Sequence, residues 1–240
     1  TLVNIIAKTK NWNQLTVISD RAYSNKIINK QEANENKSIA LYEIAKIKMK
    51  SEIKEAIKII EKALSFKNNF PPYIAIYIEM LFSINNRKKI QKVLKKYWSE
   101  TPNSALRYSI TNVLKTNKIS ELSFINNFVS KNKDNDESKK FLVDFAILFN
   151  EWDIARENIK GLVGPNPTRE VCLFMSEIEL GESNDIQKSE GWKLRANNAD
   201  IENYWVCKIT NNPQKDWTTL SDSGHFNSLE WRQPKMLSIL

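Results

Sequence analysis

Few side chains in this chain could carry chemistry, and their spacing narrows the options further. Two cysteines, Cys172 and Cys207, and one histidine, His225, are its only thiols and imidazole in 240 residues. That excludes a disulfide-rich scaffold and a zinc held by three or four cysteines of one chain. It also excludes any mechanism needing two histidines. Cys172 lies among Val171, Leu173, Phe174 and Met175 and reads as a small core residue. His225 reads as an exposed turn residue. Glu177 and Glu179 are two positions apart, so on a helix they diverge; they read as solvated carboxylates rather than an acid/base dyad. Five glycines leave no glycine-rich phosphate loop. No catalytic residue, metal ligand or cofactor site is assigned.

The strongest local signal is basic. Arg87, Lys88, Lys89, Lys92, Lys95 and Lys96 fall between Met80 and Ser99 with no acidic residue among them. Helical geometry turns Ile90, Val93, Leu94 and Tyr97 inward and Lys88, Lys92, Lys95 and Lys96 outward. Three readings compete: a solvated helix face, contact with anionic lipid headgroups at about 1 kcal/mol per lysine, and contact with a nucleic-acid backbone. The last has no recognition motif to support it, and nucleic acid is not an expected partner.

The net charge of +8 is unevenly placed. Residues 1–134 carry 24 basic and 11 acidic side chains, a balance of +13; residues 135–240 carry 12 and 17, a balance of −5. That order suits an anchor at the N-terminal side of an anionic membrane surface. Lysine, asparagine and isoleucine are all abundant, which a base-composition bias in the genome would also produce. Hydrophobic residues make up 41%, enough for a folded core. No apolar run reaches the roughly 18 residues of a membrane span.

The elements that position these residues read as helices throughout. From Ile53, the set Ile53, Ala56, Ile57, Ile60, Ala63 and Leu64 makes one apolar stripe, with charged residues opposite. Breaks at 68–72, 85–86, 101–103, 132–136, 164–167 and 181–184 cut the chain into a helix-turn-helix rhythm. The rhythm has a period. Ala56 and Ile90 are 34 apart, as are Ile44/Ile78, Ile47/Leu81, Ile60/Leu94 and Ala63/Tyr97. A register starting at Asp136 places Val143, Ala146, Ala155, Ile159 and Leu162 at the same positions. Residues 103–135 and 170–198 read as further pairs, and residues 1–30 as an incomplete first one. Trp12 and Trp152 each open a second helix, where Trp152 is expected to be a buried wedge against the preceding helix. This pattern resembles the tetratricopeptide repeat. Departures are Ala40 and Lys139 in place of an early aromatic, and Ile90 in place of the second-helix alanine.

The C-terminal third carries a narrower resemblance. Glu151-Trp152, Ala155-Arg156, Pro167-Thr168-Arg169, Val171-Cys172-Leu173, Met175, Glu177 and Glu179 form one pattern; Trp205-Val206-Cys207 and Phe226-Asn227-Ser228-Leu229-Glu230-Trp231 form a second. Together they resemble the HemY-like family of bacterial inner-membrane proteins. That resemblance implies two transmembrane helices upstream of Thr1, a tetratricopeptide body on the cytoplasmic face, and a link to haem biosynthesis without an established catalytic activity. It also implies a rubredoxin-like tail with two pairs of metal-binding cysteines. Here Cys207 keeps the first position, but Thr210, Leu220 and Ser223 stand at the others, so a metal-free tail is expected.

The expected fold is all-α: a right-handed α-α superhelix of about five tetratricopeptide-like pairs over 1–200, with a short irregular tail over 201–240. The expected function is a non-enzymatic protein–protein interaction scaffold. Such solenoids bind partners along their first helices, which makes Tyr42, Tyr73, Tyr77, Glu79, Arg107, Tyr108 and Asn112 the groove candidates. The expected partners are other proteins, with haem-biosynthesis enzymes among the candidates, and an anionic membrane surface through the basic face. A porphyrin- or haem-handling role is the alternative, although no histidine lies on a repeat helix; a basic nucleic-acid-binding solenoid ranks behind it.

Overall fold

A computed structural model describes residues 2–235. Among them are twelve α-helices: α1 (Leu2–Lys8), α2 (Trp12–Ser24), α3 (Lys30–Lys48), α4 (Ile53–Phe66), α5 (Pro71–Ser83), α6 (Arg87–Glu100), α7 (Ser104–Thr116), α8 (Leu122–Val129), α9 (Asp136–Leu148), α10 (Trp152–Ile159), α11 (Arg169–Ser183) and α12 (Ile186–Asn197). The chain is mostly helical, as expected. Most of the expected breaks fall at the loops between these helices; the one at 181–184 does not, because α11 continues through Gly181 to Ser183, and Pro71 and Pro72 form the first turn of α5.

Asparagine explains how a chain with five glycines makes so many helix ends. Asn11, Asn29, Asn103 and Asn135 cap the starts of α2, α3, α7 and α9, each side chain accepting a backbone N–H of the first turn. At the other ends, Asn85 and Asn150 take left-handed backbone angles, φ 52° and 59°. Lys10, Lys26 and Lys118 do the same at φ 56°, 58° and 51°. After α7, for example, Lys118 N–H donates to Lys115 O and Ile119 N–H to Leu114 O. This paired closure normally uses glycine. Asparagine is next best, and lysine carries the full steric cost of its Cβ.

The chain divides into two compact units: residues up to Ile90 together with those from Tyr204 onward, and residues 91–203. The boundary falls inside α6. In the first unit, Ile39, Ala40, Ala56, Ile60, Tyr73, Ile74 and Ile78 are fully buried. Ile47 departs from its periodic partner: Leu81 is fully buried, while Ile47 is 63% exposed. The tail is not irregular, which corrects the expectation. It holds a three-stranded antiparallel sheet of β1 (Tyr204–Cys207), β2 (Pro213–Gln214) and β3 (Leu229–Arg232), ordered β2-β1-β3. Trp205 pairs with Trp231 across β1 and β3.

The second unit is built around aromatic rings. Trp98 is completely buried, edge-on to Phe128 and Phe141, with ring centroids 6.0 and 5.2 Å away. Its indole N–H donates to Ser138 Oγ at 2.8 Å, the partner a buried Trp needs. The first helices α7, α9 and α11 pack on one another in succession.

Candidate functional site

In the first unit, the tail seats on α3 and on the start of α5. Tyr42 of α3 and Tyr73 of α5 stack with centroids 5.0 Å apart. Trp217, from the tail, meets Tyr42 edge-on at 5.4 Å and Phe70 at 5.1 Å. Trp205 of β1 reaches Phe70 at 6.0 Å. Burial raises both tyrosine hydroxyls well above their ordinary titration range, and the nearby carboxylates of Glu43 and Glu79 add to this at Tyr42. The tail is fixed by polar contacts as well. Thr219 donates to Glu43, and Phe226 N–H donates to Asn4 Oδ1 at 3.0 Å. Leu220 and Phe226 cover the cluster of Ile6, Ala7, Trp12, Leu15 and Ala40.

Tyr77 is also buried, and its hydroxyl donates to Glu61, which takes a second bond from Lys89 Nζ. Burial and the Glu61 bond push Tyr77 up to about 12. Burial would raise Glu61, but the bonds from Lys89 and Tyr77 outweigh it and hold the carboxyl below its usual range.

The tail's turn regions place the residues of the expected knuckle near one another. Cys207 Sγ lies 3.4 Å from Ser228 Oγ, and Thr210 and Ser223 share a hydrogen bond of 3.0 Å. Burial would raise the Cys207 thiol. Its hydrogen bonds with the Ser228 and Thr210 side chains and with the Thr210 and Ile209 amides outweigh it, lowering the thiol to about 6. One thiol, two hydroxyls bonded to each other and the isobutyl group of Leu220 do not fit a metal ion. Among the described residues, no group of three or more His, Cys, Asp or Glu side chains could hold one.

The second unit contains a buried charge network. Arg107 is 1% exposed. Its Nε donates to Glu137 at 2.7 Å and its Nη2 to Glu170 at 2.6 Å. Lys140 joins both carboxylates at 3.3 and 3.6 Å, and Tyr108 donates to Glu170 at 2.9 Å. Two cations therefore match two carboxylates, as burial requires. Desolvation opposes ionisation of Glu170, yet Arg107 outweighs it and holds that carboxyl below its usual range.

Of the groove candidates, Tyr42, Tyr73, Tyr77 and Arg107 are buried and committed to contacts within the chain. Tyr108 is half-buried, and Glu79 and Asn112 are exposed. On α6 the expected division holds: Ile90, Val93, Leu94 and Tyr97 are buried, and Lys88, Lys92, Lys95 and Lys96 are exposed. None of these four lysines joins an ion pair among the described residues. Cys172 is fully buried.

Three single-residue expectations need correction. Glu179 is not solvated: it is 6% exposed and takes a 2.7 Å bond from Arg156, which also binds Glu182. His225 is half-buried rather than exposed. Trp152 is half-buried, and the neighbour it fills against is Gly181 of α11, the following helix. Sequence reasoning missed Phe70, Trp205 and Trp217 as a docking cluster. Three aromatics so far apart in sequence carry no local periodicity; their one available signal was the density of tryptophan in a tail thought irregular.

No protein-family model matches the chain, and no curated protein matches it in sequence. No helix among the described residues is long and apolar enough to cross a membrane.

Proposed function

We propose that the chain is a non-enzymatic protein–protein interaction scaffold, and that its helix pairs form a right-handed tetratricopeptide-like superhelix. The observation that carries this reading is the succession of first helices α7, α9 and α11, spaced near the 34-residue period read from the sequence. Stacking of first helices on first helices is how repeat proteins build an extended binding face. We further place the chain in the HemY-like family, as the cytoplasmic part of an inner-membrane protein associated with haem biosynthesis. The motifs around Trp152 and Trp205 support that; Thr210, Leu220 and Ser223 at three of the expected ligand positions depart from it.

A photo-activated cross-linking residue at Glu79 or Asn112 tests the scaffold reading in cells. Discrete adducts with other proteins are expected at these exposed first-helix positions. Their absence at both sites, with adducts appearing instead at exposed second-helix positions, would contradict it.

Contact of α6 with an anionic membrane surface is a second reading, favoured by four exposed lysines without carboxylate partners. Co-sedimentation with vesicles containing phosphatidylserine tests it. Binding that falls with salt, and falls further when Lys88, Lys92, Lys95 and Lys96 become Glu, is expected.

A further inference from the structure

Within the first unit, a cleft of about 510 Å³ opens between the end of α3, the α1–α2 turn and the tail. Its walls are of two kinds. Trp12, Ile47 and Leu220 supply apolar surface, while Lys10, Lys46 and Lys50 bring three ammonium groups to it. Among the described residues Glu43 is the one carboxylate on the lining, and it is already engaged by Lys46 at 3.6 Å and by Thr219. Lys10 and Lys50 join no ion pair among the described residues. Ile47 is the repeat's own apolar position left 63% exposed, where its counterpart Leu81 is covered.

Other large apolar side chains are as exposed as Ile47, but Ile47 lines a cleft together with Lys10 and Lys50. We infer that this cleft binds an acidic peptide segment of a partner protein, with an apolar side chain seated against Ile47 and Trp12 and carboxylates facing Lys10, Lys46 and Lys50. The volume suits one or two side chains rather than a folded domain. Charge complementarity supplies the sign, and the apolar wall supplies an anchor that a free inorganic anion would leave unused. The inference rests on the scaffold reading and names a partner class for it. It also gives the tail a role: Thr218, Thr219 and Leu220 close one side of the cleft, so a docked tail is a condition for binding.

The probe is a fluorescein-labelled twelve-residue peptide with one phenylalanine among aspartates and glutamates, followed by anisotropy. The control peptide carries asparagine and glutamine instead. The acidic peptide should bind about tenfold or more tightly than its control at low salt. Lys10→Gln/Lys46→Gln/Lys50→Gln should lose about tenfold, and Ile47→Asn should also weaken binding. Lys88→Gln/Lys92→Gln/Lys95→Gln/Lys96→Gln removes more charge from an unrelated surface and should bind as wild type. All seven lysines and Ile47 are exposed, and unchanged melting curves verify that the variants fold. Equal affinity of the cleft variants and wild type would overturn the inference, as would equal losses in the cleft and α6 variants. Cross-linked partners at Glu79 or Asn112 without peptide binding would sink the cleft and leave the scaffold standing.

Discussion

Trp217 of the tail packs edge-on against Tyr42 of α3, with ring centroids 5.4 Å apart and planes at 75°. A side chain distant in sequence thus covers the aromatic face of Tyr42 on α3.

Replacing Trp217 with alanine removes a nearly completely buried ring. A loss of about 3–5 kcal/mol is expected from the cavity and the lost contacts. Chemical denaturation measures it, and limited proteolysis should show earlier cleavage in the tail. An unchanged midpoint would mean that the tail does not seat on Tyr42 and Phe70.

Arg107 poses a different risk. Arg107→Met keeps the length but strands Glu137 and Glu170 with Lys140 as their remaining cation. About 3–5 kcal/mol should be lost, because an uncompensated buried charge is worse than none. A loss under about 1 kcal/mol would show that water or rearrangement relieves the carboxylates.

The same network sets a pH dependence. Arg107 holds the Glu170 carboxyl below its unfolded value. Its contribution is therefore present above the ordinary carboxylate range and is lost as pH falls through the lowered folded value. Glu170→Gln should be less stable than wild type at neutral pH, and the gap should narrow on acidification. A gap constant from neutral pH to pH 3 would contradict the assignment.

At the end of α7, Lys118 holds φ 51°. Lys118→Gly should stabilise the chain by about 1 kcal/mol, since glycine takes this geometry without the Cβ penalty. A thermal scan checks the sign; a lower midpoint would place Lys118 in a contact that outweighs its strain.

Gly181 tests the contact made by Trp152. A Cβ built there would lie 2.2 Å from the indole Cη2, so Gly181→Ala should destabilise by about 1–3 kcal/mol. Trp152→Ala should cost less than the removal of a fully buried tryptophan, because Trp152 is half-exposed. Combining the two should cost less than their sum.

Much of the helical layout was legible because it is local. The stripe from Ile53 became α4, the lysine run became α6 with its apolar and charged faces as expected, and the Asn-rich breaks became caps and left-handed turns. What sequence could not show was long-range. Nothing near Tyr42 signals Trp217, nor does anything near Arg107 signal Glu170, since both partnerships depend on where distant segments land. Ile47 failed for the same reason: its periodicity is that of a core residue, but the neighbours that would cover it do not reach. The hydroxyls of Thr210 and Ser223 are legible one at a time, while their hydrogen bond to each other needed coordinates.

The scaffold reading is tested most directly by quantitative affinity purification from cells, comparing wild type with Glu79→Arg/Asn112→Arg. Both positions are exposed on first helices, so folding and the melting curve should be unchanged. The account predicts a defined set of co-purifying proteins whose recovery falls about tenfold or more in the double variant. The same set recovered equally with both proteins, or a purified chain that carries a Soret absorbance and no partner, would contradict it.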